Sequence, residues 1–147
     1  MKKHNMSKLL SLILCAVLIA AMALIATGCS GTQTTQDPWQ TKTFKDGDVL
    51  GTGSTEFSLT VIDADGAQTS ATIRTDKETV GDALLELEII NGPMEAYGMY
   101  VKSVNGKTYD YDTDGKYWAF YIDGEYALTG IDQTGIQPGV AYTIQAE

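Results

Sequence analysis

The spacing of apolar and polar residues changes character three times along the chain. Leu9 to Thr27 is an unbroken apolar run, "LLSLILCAVLIAAMALIAT". A polar stretch without period follows, "SGTQTTQDPWQTKTFKDGDVLGTGST", rich in Thr, Gly, Ser and Gln. Such composition predicts a flexible spacer over residues 29–55. From Glu56 the pattern turns regular. "EFSLTVID" sets Phe57, Leu59 and Val61 against Ser58, Thr60 and Ile62, the alternation of a half-buried strand. "ADG" predicts a turn, and "QTSATIRT" a second strand.

The period then becomes helical. In "TVGDALLELEIING", Val80, Ala83, Leu84, Leu87 and Ile90 share one side. Thr79 is placed to cap the helix, with Asp82 three residues on in a capping-box arrangement. Asn91-Gly92-Pro93 predicts the stop, so the helix should run about three turns. Strands return in "YGMYVKSVNGKTYDY", "KYWAFYIDGEYAL" and "AYTIQAE". Two-residue hairpin turns, whose central residues need positive φ, are expected at Asp65-Gly66, Asn105-Gly106, Asp114-Gly115 and Asp123-Gly124. Hairpin, one helix, then more strands predicts an α+β domain over residues 56–147: a β-grasp, with the helix packed across a mixed sheet. Along "KYWAFYIDGEYA", Tyr117, Ala119 and Tyr121 should face one way and Trp118, Phe120 and Ile122 the other.

The apolar run also predicts location. Lys2, Lys3 and Lys8 precede it with no acid among them, which makes residues 1–28 a secretory signal. Its end, "IATGCS", resembles the lipobox of bacterial lipoproteins and puts Cys29 at the lipidated position. An uncleaved membrane anchor is the alternative. On either reading the remainder lies outside the cytoplasm, tethered to the membrane.

Composition then removes several kinds of chemistry. His4 is the one histidine, and Cys15 and Cys29 are the only cysteines. The exported part therefore has no His and no spare thiol for a Ser-His-Asp triad, a thiolate nucleophile, a disulfide or a usual zinc site. Residues 29–147 hold 7 basic and 19 acidic residues, a net charge of −12, which repels nucleic acid. Asp112, Asp114, Asp123 and Glu125 are the acids a glycosidase-like pair would need, but acids beside Gly turns usually form the turns themselves. A non-enzymatic protein is expected.

Asp110, Asp112 and Asp114 followed by Gly115 read like the start of a calcium loop. Counting from Asp110, the twelfth position is Tyr121 rather than the bidentate glutamate of a helix-loop-helix site. Two readings stay open: solvated acids near a hairpin end, or a looser calcium site completed by Asp63 or Asp65.

From about Glu56 to Glu147, "FSLTVIDADG", "TVGDALLE", "YGMYVKSVNG", "YWAFYIDGEYALTGID" and "IQPGVAYTI" resemble, in order, the transcobalamin-like C-terminal domain family, known in bacteria as a domain of unknown function. The resemblance again implies a β-grasp, and a corrinoid such as cobalamin as ligand. Animal members close this domain over cobalamin opposite a helical barrel that this chain does not carry. By position, the resemblance nominates Tyr97, Met99, Tyr100, Trp118 and Tyr126 as ligand-facing. It suggests a membrane-anchored module that hands its ligand to a transporter. The alternative is a surface protein–protein interaction or adhesion module without a small-molecule ligand.

Overall fold

The computed structural model describes residues 37–147. The signal, Cys29 and the first part of the expected spacer lie outside the described residues. Eleven strands appear in chain order: β1 (Asp48–Gly51), β2 (Thr55–Ile62), β3 (Gln68–Thr75), β4 (Ile90–Asn91), β5 (Met94–Glu95), β6 (Gly98–Met99), β7 (Ser103–Val104), β8 (Lys107–Thr108), β9 (Trp118–Ile122), β10 (Glu125–Tyr126) and β11 (Ala141–Ala146). Helix α1 (Val80–Glu86) follows β3, and a single turn, α2 (Tyr111–Asp114), precedes β9.

The main sheet has the order β1-β3-β2-β11-β9-β10. β2 and β3 form an antiparallel hairpin, Leu59 opposite Ala71. β11 returns parallel to β2, with Tyr142 opposite Leu59, and antiparallel to β9, with Ile144 opposite Phe120. The domain is thus α+β, with a mixed sheet and one packed helix.

Alternation decides which face is buried. Phe57, Leu59, Val61, Ile73, Tyr142 and Ile144 project from one face and meet Val80, Ala83 and Leu84 of α1 in a single core. Trp118, Phe120 and Ile122 join that core. Tyr142 anchors the sheet centre. It is 1% exposed, lies edge-on to Phe57 and stacks with Phe120, while its hydroxyl accepts the Gln137 N–H at 3.0 Å. Aromatic pairs of this kind contribute about 0.5–1.5 kcal/mol beyond their buried area.

Three expectations change. The polar stretch taken as spacer is folded onto the domain from Asp37 onward. Phe44 is in the core, its N–H donates to Asn105 Oδ1 at 2.7 Å, and Thr41 Oγ1 accepts from Gly106 N–H at 2.8 Å. Residues 48–51 then add β1 in parallel to β3. One buried ring and a series of side-chain bonds to backbone hold the segment, and none of these leaves a period in the sequence.

The helix is also shorter than expected. Thr79 caps it, accepting the Asp82 N–H at 3.1 Å. It ends at Glu86 with Leu87 as its cap, and Glu88 just beyond takes φ 58°, while Ile89 N bonds Leu84 O and Glu88 N bonds Leu85 O. That pair of bonds is the Schellman closure, made without glycine. The chain is released early enough for Ile90–Asn91 to become β4.

Lastly, Asp114-Gly115 is not a hairpin turn. Asp110 caps α2, and Gly115, at φ 63°, closes it. Asn105-Gly106 and Asp123-Gly124 are two-residue turns with both residues at positive φ. At Asp65-Gly66 only the glycine has positive φ, within a longer loop tied by the Asp63 carboxylate.

Candidate functional site

At the β9–β10 end of the domain, next to the β5–β6 hairpin, two hollows meet. The first is a groove of about 430 Å³ lined by Met99, Tyr100, Val101, Trp118, Phe120, Tyr126, Leu128 and Ile131, among others. The second, about 570 Å³, is lined by Glu95, Tyr100, Lys102, Asp110, Tyr111, Asp112 and Tyr117. Tyr100 and Tyr117 border both, so the two form one trough with an apolar end and a charged end.

Each part of the apolar floor has a local cause. Strand alternation turns Trp118 and Phe120 of β9 toward the core side. Trp118 is 6% exposed, and its indole packs against Tyr109 with ring centroids 5.0 Å apart. Met99 is held through its backbone, because its N–H donates to Asp132 Oδ1 at 3.1 Å. Asp132 sits in the 3-10 turn Ile131–Gln133, which packs on α1 and brings Ile131 into the floor. Gly98, at φ 116°, allows that approach, since a Cβ there would lie 2.8 Å from Asp132 Oδ1. At the rim, Tyr126 and Leu128 stay largely in solvent, Leu128 at 98% exposure.

The groove brings together Met99, Tyr100, Trp118 and Tyr126 of the five nominated residues. Tyr97 stands apart at the tip of the β5–β6 hairpin, 95% exposed, and lines neither hollow. Phe120, Leu128 and Ile131 were not nominated. Leu128, an isolated apolar residue in the turn "ALTG", carried a usable signal, since a large apolar side chain in a polar loop has little to pack on.

The charged end is set by an ion pair. Lys102 Nζ bonds the Asp110 carboxylate and lies 5.4 Å from the centre of the Tyr100 ring. The Lys102 hydrogen bond holds the Asp110 carboxyl below the ordinary carboxylate range, helped by the Asp112 N–H, and Asp110 in turn raises Lys102. Asp110 Oδ1 caps α2 on Asp112 N–H, and Asp114 Oδ2 accepts the Asp110 N–H. The Asp110 and Asp114 carboxylates are therefore turned to the backbone and to Lys102. Among the described residues, no three His, Cys, Asp or Glu side chains gather as metal ligands.

Across β9, Tyr117 and Tyr121 both donate their hydroxyls to the Glu147 carboxylate. That bond, ahead of desolvation and the carboxylate charge, raises both phenols, Tyr121 to about 12.

No curated protein matches the chain. Among solved structures, a protein of Ruminococcus gnavus, described as a metal-binding candidate, shares 26% identity at a TM-score of 0.61. That match covers 64% of this chain and 97% of the other. Haptocorrin in complex with Cbi shares 18% identity at a TM-score of 0.43, covering 67% of this chain and 26% of haptocorrin; a likeness at that level says nothing about ligand. Residues 77–143, from just before α1 into β11, match the model of a domain of unknown function, DUF4430. Over those residues, just under half of the chain, it is similar to the DUF4430 family, in keeping with the transcobalamin-like resemblance of its motifs.

Proposed function

We propose that the folded part is a β-grasp ligand-binding module, held outside the cytoplasm by a lipid on Cys29, that takes a broad, partly apolar ligand of the corrinoid class in its groove. The observation that carries the reading is the exposed rim of Leu128 and Tyr126 above an apolar floor of Met99, Trp118 and Ile131. Exposed apolar groups beside a hollow lower the free energy only when something covers them. A volume of about 430 Å³ also lies in the range of small-molecule sites, about 300–1,000 Å³.

The corrinoid is the ligand that the family resemblance implies, and its flat ring with amide edges suits a trough that is apolar at one end and charged at the other. The β-grasp reading rests on β2 and β11 as adjacent parallel strands with α1 laid across them. Binding without turnover, and delivery to a transporter, complete the proposal.

The test is titration of the full chain with cobinamide and cobalamin, read as heat and as a shift of the corrin absorption bands. Saturable binding that weakens about tenfold in Leu128→Ala supports the reading, since losing the covered part of a leucine side chain costs about 1.5 kcal/mol. No heat or spectral change up to millimolar ligand overturns it. Capture of a specific surface protein without any corrinoid would favour the interaction-module alternative.

A further inference from the structure

The charged end of the trough has a composition that the groove does not need. Three tyrosines, Tyr100, Tyr111 and Tyr117, line the 570 Å³ hollow, with the Tyr111 and Tyr117 rings edge to face at 6.2 Å. Three carboxylates, Glu95, Asp110 and Asp112, face it against the single ammonium of Lys102. Lys102 is already spent on Asp110. Among the described residues, no ion pair or side-chain hydrogen bond engages the carboxylate of Glu95 or of Asp112, so the hollow keeps net negative charge.

The faces of tyrosine rings attract cations, and a cation within about 6 Å of the ring centre feels that field. The hollow contains one example: Lys102 Nζ at 5.4 Å from the Tyr100 ring. Small, strongly hydrated ions gain little from such rings, because they keep their water; weakly hydrated organic cations can shed it. With no cluster of three metal-ligating side chains among the described residues, the hollow lacks the converging oxygens that a hard metal ion needs.

We propose that this hollow is a binding site for an organic cation, an alkyl or quaternary ammonium group, seated against Tyr100, Tyr111 and Tyr117 and paired with Glu95 and Asp112. The site goes beyond the corrinoid reading. Glu95, Tyr111 and Asp112 do not line the groove, while Tyr100 and Tyr117 serve both. A ligand carrying a flat apolar body and an ammonium group would fill the whole trough.

The probe is choline, compared with its uncharged isostere in which carbon replaces the quaternary nitrogen, at matched ionic strength. Binding is read on the tyrosine ring resonances of the full chain, labelled at tyrosine. Choline should shift Tyr100, Tyr111 and Tyr117 saturably in the millimolar range, and the isostere should not. Tyr111→Ala removes a side chain that is already 62% exposed, so the fold should survive, and it should weaken choline at least about threefold. Asp112→Asn should weaken it in the same direction, and Tyr97→Ala, outside the hollow, should leave it unchanged. Absence of a saturable shift, equal shifts with the isostere, or full affinity in Tyr111→Ala each overturn the proposal. Cobinamide binding measured on the same samples separates the two: loss of choline alone leaves the groove reading intact.

Discussion

Gly81 and Asp132 meet backbone to backbone: a Cβ on Gly81 would lie 2.6 Å from the Asp132 Cα. This contact ties α1 to the 3-10 turn, and Asp132 passes the constraint on to Met99 through its bond to the Met99 N–H. The groove floor is therefore positioned from the helix, through two short segments with little regular structure of their own.

Gly81→Ala should destabilise the domain, although alanine is the better helix former. The propensity gain is about 1 kcal/mol. Against it stands overpacking against backbone, which typically costs about 1–3 kcal/mol. Urea denaturation should show a lower midpoint, and the corrinoid affinity proposed for the groove should fall with it as Met99 moves. A raised midpoint would mean that the 3-10 turn yields freely and does not hold the floor.

Glu88 presents the opposite case. It holds φ 58° at the end of α1, where an L side chain is strained by about 1–2 kcal/mol. Its ion pair with Lys42 is exposed on both sides and contributes little. Glu88→Gly should raise stability by about 0.5–1 kcal/mol, measured as a higher denaturation midpoint with an unchanged slope. A loss would show that the Lys42 contact holds the 37–47 segment more firmly than its exposure implies.

Where one local force acts, the pattern of residues reveals the fold. Phe57, Leu59 and Val61 announce β2 because one face is wet and the other dry, and Thr79 announces the helix start because a lone hydroxyl before an apolar period has one clear use. The segment 37–55 is hidden because its attachment is long-range: Asn105 and Glu88 bond it from far along the chain, and Phe44 is its one buried ring. The helix end is hidden because Glu88 adopts a conformation that its chemistry disfavours, under pressure from β4. At the site, Met99, Trp118 and Tyr126 are legible as aromatic or apolar residues in strands, and Tyr100 follows β6 directly. Tyr97 lies outside both hollows, because a two-residue loop between β5 and β6 leaves it exposed. The pairing of Lys102 with Asp110 joins a loop to a cap and leaves no trace in spacing.

The acid limb of stability should be carried in part by Asp63 and Asp110. Lys107 lowers the Asp63 carboxyl first, reinforced by the Ala67 N–H, and Lys102 lowers Asp110. A carboxyl whose folded pKa lies below its unfolded value stabilises the fold fully above that value, here 3.8, and loses the contribution as pH falls through the folded pKa. Denaturation midpoints should therefore decline below about pH 4. In Asp63→Asn the neutral-pH midpoint should be lower and the acid decline shallower. An unchanged acid slope would place the proton uptake elsewhere.

At the alkaline end the sign reverses. Tyr121, at about 12 against an ordinary 10.0, keeps its proton because the hydroxyl donates to Glu147 and a phenolate there would face a carboxylate. The bond's contribution is present below pH 10 and lost as pH rises through about 12. Tyrosinate absorbance across an alkaline titration should show a late component that disappears in Tyr121→Phe. Glu147→Gln keeps an acceptor and removes the charge, so that component should move back toward 10.0. Tyr117 donates to the same carboxylate and is also raised, so its ionisation should move earlier in the same variant. Superimposable titration curves for the wild type and Glu147→Gln would mean that burial, not the shared carboxylate, holds both protons.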